Sequence, residues 1–309
     1  MLKRTMKQLL VKKVKEFINT IENKEIKNII SENIIITGGC ITSMIMNEDI
    51  NDFDCYFRTK EATYEVAKYF ASVWNNTHAI SECKAIDCDT YNKEDLSLTS
   101  VDKGRIKIFI KSSGIVGDLE EANAKKELGI KEIIKELDEI NVEKEIKKEK
   151  KPFTPVFISS NAITLSSKLQ LVVRFYGEPS SIHDTFDFEH TKAYFDYFNK
   201  ELSIPNTVYD CVINKTLIYS GSKYPVCSIF RLRKFINRGW KINAGQMLKI
   251  CFQISKLDLT DINVLEDQLI GVDSLYFMNL IKQFREKREK NPNFILTPNY
   301  IISIIDKIF

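Results

Sequence analysis

The sequence predicts an α+β fold: a small mixed-sheet domain with a charged helical insertion, followed by an all-helical C-terminal domain. Three observations predict it. A β-branched run, Ile34 to Thr37, leads into Gly38-Gly39 and, one short helix later, into the strand-like stretch Asp52 to Phe57. The segment Arg105 to Lys111, RIKIFIK, alternates apolar and basic residues as a half-buried strand does. After Leu202 apolar positions recur at helical spacing to the end. The boundaries are an N-terminal helix over 1–30, a sheet domain over 31–202 with its insertion at about 117–151, and a helical domain over 203–309.

The elements follow in order. Over residues 1–30, Leu9, Leu10, Val14, Phe17 and Ile18 are spaced three and four apart, with lysines opposite, as in an amphipathic helix packed on a core. Residues 61–75 predict a second helix, with Val66, Tyr69, Phe70 and Val73 on one side. Residues 76–100 carry no period that assigns them. From Leu119 to Lys151 charges of both signs surround a thin isoleucine stripe, which predicts an exposed helix or helical pair broken at Gly129. Beyond Pro152, Val156–Leu165 and Leu169–Phe175 read as two strands joined at Ser166-Ser167, and residues 183–190 as another. Later helix candidates lie at Pro225–Arg238, 244–256, 260–270, 273–288 and 298–308.

A chain of 309 residues, 44% hydrophobic and 28% charged, can bury a real core and has a globular profile. A net charge of +3 excludes a protein that coats polyanions with its whole surface. Seven cysteines without CxxC spacing predict free thiols in a reducing cytoplasm, the host cytoplasm if the gene is a phage's. No apolar run reaches membrane-spanning length. Abundant Lys, Asn and Ile fit an AT-rich genome, such as that of a low-GC bacterium or its phage.

The chemistry concentrates at Asp52-Phe53-Asp54. On a strand, residues two apart share a face, so Asp52 and Asp54 project together. Adjacent carboxylates repel unless a divalent cation lies between them, and Mg²⁺ takes one or two carboxylates plus substrate phosphates. A strand, a Gly-Gly turn, a helix and a strand bearing Asp-x-Asp resemble the core of the DNA polymerase β-like nucleotidyltransferases. Within that superfamily, GGCITSMIMNEDINDFDCYF is most similar to the head of CCA-adding enzymes and bacterial poly(A) polymerases. The texture also resembles nucleotidyltransferase-like proteins of large phages.

The resemblance implies Asp52 and Asp54 on Mg²⁺, and Gly38, Gly39 and Ser43 near the phosphates of ATP or another NTP. FISSNAITL is similar to that family's FTINAL motif through Asn161-Ala162, with Pro155 and Val156 where the family has a paired arginine and aspartate. Asn161 then shapes the site around the nucleotide sugar, or is a tight-turn asparagine; both readings stand. A third carboxylate, implied on a neighbouring strand, falls to Asp187; Lys107, Lys111 and Gln170 are the other side chains offered there. His183 and His190 flank Asp187, and a His/Asp metal cluster is the alternative reading.

Between Cys211 and Leu257, 47 residues, there is no Asp or Glu, while nine Lys or Arg are present. That is the footprint of a polyanion, NTP or RNA. Within it Arg231, Lys234 and Arg238 share a helical face, and Ile229, Leu232 and Ile236 another. PVCSIFRLRKFINRGWKI resembles the arginine-bearing helix of CCA-adding enzymes that reaches the triphosphate. That family's opening acidic pair is replaced here by Val226 and Cys227; a basic solvent face is the plainer reading. Lys282, Arg285, Lys287, Arg288 and Lys290 form a second cluster, for an RNA backbone or a helix C-terminus. The expected function is template-independent transfer of an NMP to an RNA 3′ end of tRNA type. The alternatives are a non-catalytic RNA-binding protein on this fold and a protein-modifying antidefence enzyme.

Overall fold

The computed structural model describes residues 1–78, 81–90, 103–112, 152–269, 284, 287–291 and 297–308. The predicted insertion at 117–151 and most of the helix candidate at 273–288, with Lys282 and Arg285, lie outside the described residues. Among the described residues no helix is long and apolar enough to cross a membrane.

The N-terminal 30 residues form two helices rather than one, α1 (Lys3–Thr20) and α2 (Lys24–Asn33). Asn23 breaks them: its side-chain oxygen accepts the amides of Glu25 and Ile26 as an N-cap. The inward face of α1 is Met6, Leu10, Val14, Phe17 and Ile18, while Leu9 is exposed.

Next come β1 (Ile34–Thr37), α3 (Gly39–Met46), β2 (Phe53–Phe57) and α4 (Lys60–Thr77). The unassigned stretch after 76 contains β3 (Ser81–Asp87), which pairs antiparallel with β4 (Ile106–Ser112) in a separate two-stranded sheet. Three short strands follow: β5 (Pro155–Ile158), β6 (Ala162–Leu165) and β7 (Leu169–Val172). The single strand expected over Val156–Leu165 is thus a hairpin turning at 159–161.

The strand expected at 183–190 is absent. Pro179 starts a one-turn helix, α5 (Pro179–His183), and Glu189–Thr191 is a 3₁₀ turn, so Asp187 lies in the loop between them. Beyond it β8 (Tyr194–Asp196) and β9 (Glu201–Ser203) complete the main sheet. The helical half contains α6 (Asn206–Asn214), α7 (Pro225–Asn237), α8 (Ala244–Ile254), α9 (Ile262–Leu269) and α10 (Pro298–Ile308). A two-residue parallel pair, β10 (Thr216–Leu217) with β11 (Lys241–Ile242), interrupts what the sequence suggests is purely helical.

The main sheet is mixed and seven-stranded, in the order β5-β6-β7-β2-β1-β8-β9. One face, with Ile34, Ile36, Phe53, Cys55, Phe57, Leu169 and Leu171, belongs to the large core shared with α1, α2 and α4. That core continues through Val208, Cys211, Trp240 and Ile250, so the first part of the helical half packs into it. The opposite face carries only a small cluster of Ile35, Tyr56 and Ile182. The site lies on this second face.

Candidate active site

Strand register builds the site. Thr37 of β1, Asp54 of β2 and Gln170 of β7 are lateral partners, as are Thr164 of β6 beyond Gln170 and Tyr194 of β8 beyond Thr37. Their neighbours along each strand are in the large core, so these five side chains leave the opposite face in one polar row. Strands are spaced about 4.8 Å apart, which places Gln170 and Thr37 directly on either side of Asp54.

β1 runs out at Gly38, the N-cap of α3, whose φ is +97°, a conformation glycine adopts without strain. A Cβ built on Gly38 would lie 3.2 Å from Asp54 Oδ2, whereas one on Gly39 meets nothing within 4 Å. The Gly-Gly turn therefore lies against the carboxylate, and the start of α3 faces it.

Asp52 sits in the loop just before β2 and is exposed; Asp54 is on the strand and half-buried. The two do not share a strand as expected, yet they are close enough to interact. Burial, then the Asp52 charge, pushes the Asp54 carboxyl up to about 7, while Lys234 opposes the shift. Burial, and then the same pair, pushes the Cys40 thiol up. Among the described residues no group of three His, Cys, Asp or Glu could hold a metal ion. Two crowded carboxylates beside a glycine that leaves an oxygen uncovered still fit a hard cation that brings phosphate oxygens with it.

Thr37 is fully engaged. Its hydroxyl donates to the Ala193 carbonyl at 2.7 Å and accepts from His183 Nε2 at 2.8 Å, so Nε2 carries a proton. Burial holds His183 down to about 4. His190 packs against Phe235 and Trp240, with ring centroids 4.5 and 4.3 Å away, and burial holds it at about 3. Neither histidine joins Asp187 in a metal cluster.

α7 supplies the opposing cations, and its ends are as expected: Pro225 opens it and Gly239, at φ +82°, follows it. Arg231 Nε donates to Asp187 Oδ2 at 2.6 Å, and Arg238 Nη2 to Glu48 Oε2 at 2.7 Å. Lys215 reaches the same Glu48 at 3.8 Å. Lys234, between the two arginines and exposed, is the cation whose charge bears on Asp54. The three basic residues thus share one face. Of the apolar face expected behind them, only Leu232 is buried; Ile229 and Ile236 are exposed, and Val226, Cys227 and Ser228 fill the interior instead.

Among the described residues Asp187 forms no metal-holding group with the carboxylate pair. Asp187, buried in its loop, spends its charge on Arg231, while Gln170 takes the strand position beside Asp54. Ser43 is buried one turn into α3, where its carbonyl accepts the Glu48 amide at 2.9 Å. Asn161 lies in the β5–β6 turn, its carbonyl accepting the Val173 and Arg174 amides at 2.9 and 3.3 Å. That is three residues, about 10 Å, along β6 from the polar row. Glu48 was missed: its signal is only an acid in the loop ahead of Asp52.

Comparison with known proteins gives three findings. A family model described as "Gad2: Gabija anti-defense 2 family protein" matches residues 8–215. A curated protein named "Gabija anti-defense 2", from Bacillus phage SPbetaL7, is 21% identical over 262 residues. The match covers 84% of this chain and 46% of that protein, so the chain spans about half the length of the relative. Among solved structures, the Thermotoga maritima CCA-adding enzyme complexed with tRNA_CCA is 12% identical, with a TM-score of 0.36 over 92% of this chain and 57% of that one. A CCA-adding enzyme in apo form I gives the same identity and TM-score over 92% and 56%.

Proposed function

This chain belongs to the Gabija anti-defense 2 family, and from that premise we propose that it is a template-independent nucleotidyltransferase. It moves an NMP from an NTP to an acceptor hydroxyl, and so opposes the defence for which the family is named. The observation that carries this reading is the Asp52–Asp54 pair, set against Gly38 and faced by Lys234.

Asp52 and Asp54 would hold Mg²⁺, which when bound supplies the Lewis acid that lowers the pKa of the acceptor hydroxyl and offsets charge on the α-phosphate. The chain's own residues do the positioning. The Gly38-Gly39 backbone lets the triphosphate approach the start of α3, where first-turn amides have no partner within the helix. Lys234 meets the phosphate charge directly. Arg231 and Arg238, held by Asp187 and Glu48, form a fixed cationic wall for the departing pyrophosphate. Asp187 acts by holding Arg231 rather than as a third metal ligand.

The acid-free basic stretch from Cys211 to Leu257 supports a polyanionic acceptor, an RNA 3′ end of tRNA type. The family's name supports a second acceptor, a side-chain hydroxyl on a protein of the defence. The test is incubation with Mg²⁺ and each α-labelled NTP in turn, with total cellular RNA or with host protein. Label at RNA 3′ ends supports the first acceptor, and label on protein selects the second. Absence of label everywhere, or label that survives Asp52→Ala with Asp54→Ala, overturns the reading.

A further inference from the structure

α8 is held from one side only. Ile250 is its one buried side chain, and two glutamines on the same side lock the helix: Gln246 Oε1 accepts the Tyr219 amide at 3.0 Å, and Gln253 Oε1 accepts the Ser222 amide at 3.2 Å. The other side is solvent-facing and apolar. Leu248 is 52% exposed, Phe252 64% and Met247 43%. Lys249 is exposed on the same helix, and Lys241 and Lys256 are exposed just before and just after it. Leu248, Lys249 and Phe252 fall at i, i+1 and i+4, so the aromatic ring, a leucine and an ammonium form one continuous patch.

A helix already fixed by its inner face has no need of a cover for its own folding. An apolar patch of this kind marks a place where something docks. The helix and the chain leading into it name the charge of the occupant: no Asp or Glu occurs along the sequence between Cys211 and Leu257. An apolar protein partner would be indifferent to that absence, whereas a polyanion would be repelled by acids there. An exposed phenylalanine between lysines suits a chain that presents flat apolar bases and negative phosphates in alternation, which a duplex does not.

We infer that the outer face of α8 binds a single-stranded nucleic acid, with a base stacked on Phe252 and the backbone on Lys249, Lys256 and Lys241. α8 packs beside α7, the helix that carries Lys234, whose charge bears on Asp54. The bound strand's role as acceptor rests on the transferase reading; the binding itself does not.

The experiment measures fluorescence anisotropy of labelled 12-nucleotide single-stranded RNA and DNA and of the matching duplex, from 50 to 200 mM KCl. It uses the whole chain carrying Asp52→Ala and Asp54→Ala, without NTP, so the result is independent of catalysis. Tight, salt-sensitive binding of single strands over duplex is expected. Phe252→Ala should weaken it roughly tenfold, as loss of one stacking platform does. Lys249→Glu with Lys256→Glu should lower affinity and flatten the salt dependence. All three substitutions are at exposed positions, and unchanged thermal unfolding verifies the fold. Equal binding by Phe252→Ala and its parent overturns the proposal. So does failure to hold any oligonucleotide, or sedimentation showing that Phe252→Ala instead abolishes self-association or capture of an acidic protein.

Discussion

Gln170 stands beside Asp54 in the sheet, the two being partners in the parallel pairing of β7 with β2. Both side chains leave the face away from the large core. The neighbour on the other side, Thr37, is already committed to His183 and Ala193. An uncharged amide therefore occupies the flank from which another carboxylate would most directly reach a cation at Asp54. Gln170→Glu should place three carboxylates together. In EDTA the variant should unfold at lower temperature than the wild type, since a further like charge is crowded into a half-buried site. In Mn²⁺ it should gain more than the wild type gains, since ligand charge raises cation affinity and binding to the folded state stabilises it. Thermal unfolding with and without Mn²⁺ checks both; an equal Mn²⁺ gain in the two proteins would show that position 170 is out of reach of the cation.

Gly38 and Gly39 should respond differently to alanine. At Gly38 the backbone has φ +97° and the added methyl would crowd Asp54 Oδ2 at 3.2 Å. Gly38→Ala should cost about 1–3 kcal/mol, the range for a residue forced into a sparsely populated backbone region. At Gly39 there is open space, so Gly39→Ala should leave stability within about 0.5 kcal/mol. If phosphate approaches this turn, Gly39→Ala should still weaken NTP binding. Urea unfolding and equilibrium nucleotide binding, measured side by side, separate the two effects.

The parts of this architecture with strong local signals were readable in advance. Ile34–Thr37, the glycine turn, the helix from Lys60 and the ends of α7 at Pro225 and Gly239 each carry their own residue chemistry. What the chain hid depends on pairing between distant segments. β8 and β9 are three residues long, too short for a period; β1 offers β8 an edge, and β8 in turn offers one to β9. Phe186, Asp187 and Phe188 alternate like a strand, but Pro179 and the 3₁₀ turn at Glu189 fold them as a loop. Gln170 could be placed beside Asp54 only once the register was known. Glu48 becomes meaningful only when Arg238, 190 residues away, closes on it.

Asp187 and Arg231 give a test of whether the carboxylate serves the metal or the arginine. Asp187→Asn keeps the shape and removes the charge. Asp187 is buried and Arg231 partly so, so the loss should be about 1–3 kcal/mol, below that of a fully buried pair. If Asp187 acts by holding Arg231, the Mn²⁺ increment in unfolding temperature should be unchanged while NTP binding weakens. Disappearance of the Mn²⁺ increment would make Asp187 a metal ligand after all.

The pH dependence of stability carries the last test, because His183, His190 and Asp54 pull in opposite directions. The folded chain keeps His183 neutral down to about 4 and His190 down to about 3, while the unfolded chain protonates both near 6.5. Their contribution is whole above pH 6.5 and is lost as the pH falls toward 4 and then 3. Asp54 is raised to about 7 when folded, against 3.8 ordinarily, so the folded chain takes up its proton first and gains stability as the pH falls through 7. Between pH 6 and 5, two histidine protons on the unfolded chain less one aspartate proton on the folded chain leave a net of about one. Stability in EDTA should then fall by roughly 1 kcal/mol per pH unit. Asp54→Asn removes the opposing group, so its slope should be about twice as steep, and it should be the more stable protein at pH 8. Urea denaturation in EDTA from pH 8 to 5 measures both slopes. Equal slopes would mean that Asp54 titrates as an ordinary aspartate, and that Asp52 does not crowd it.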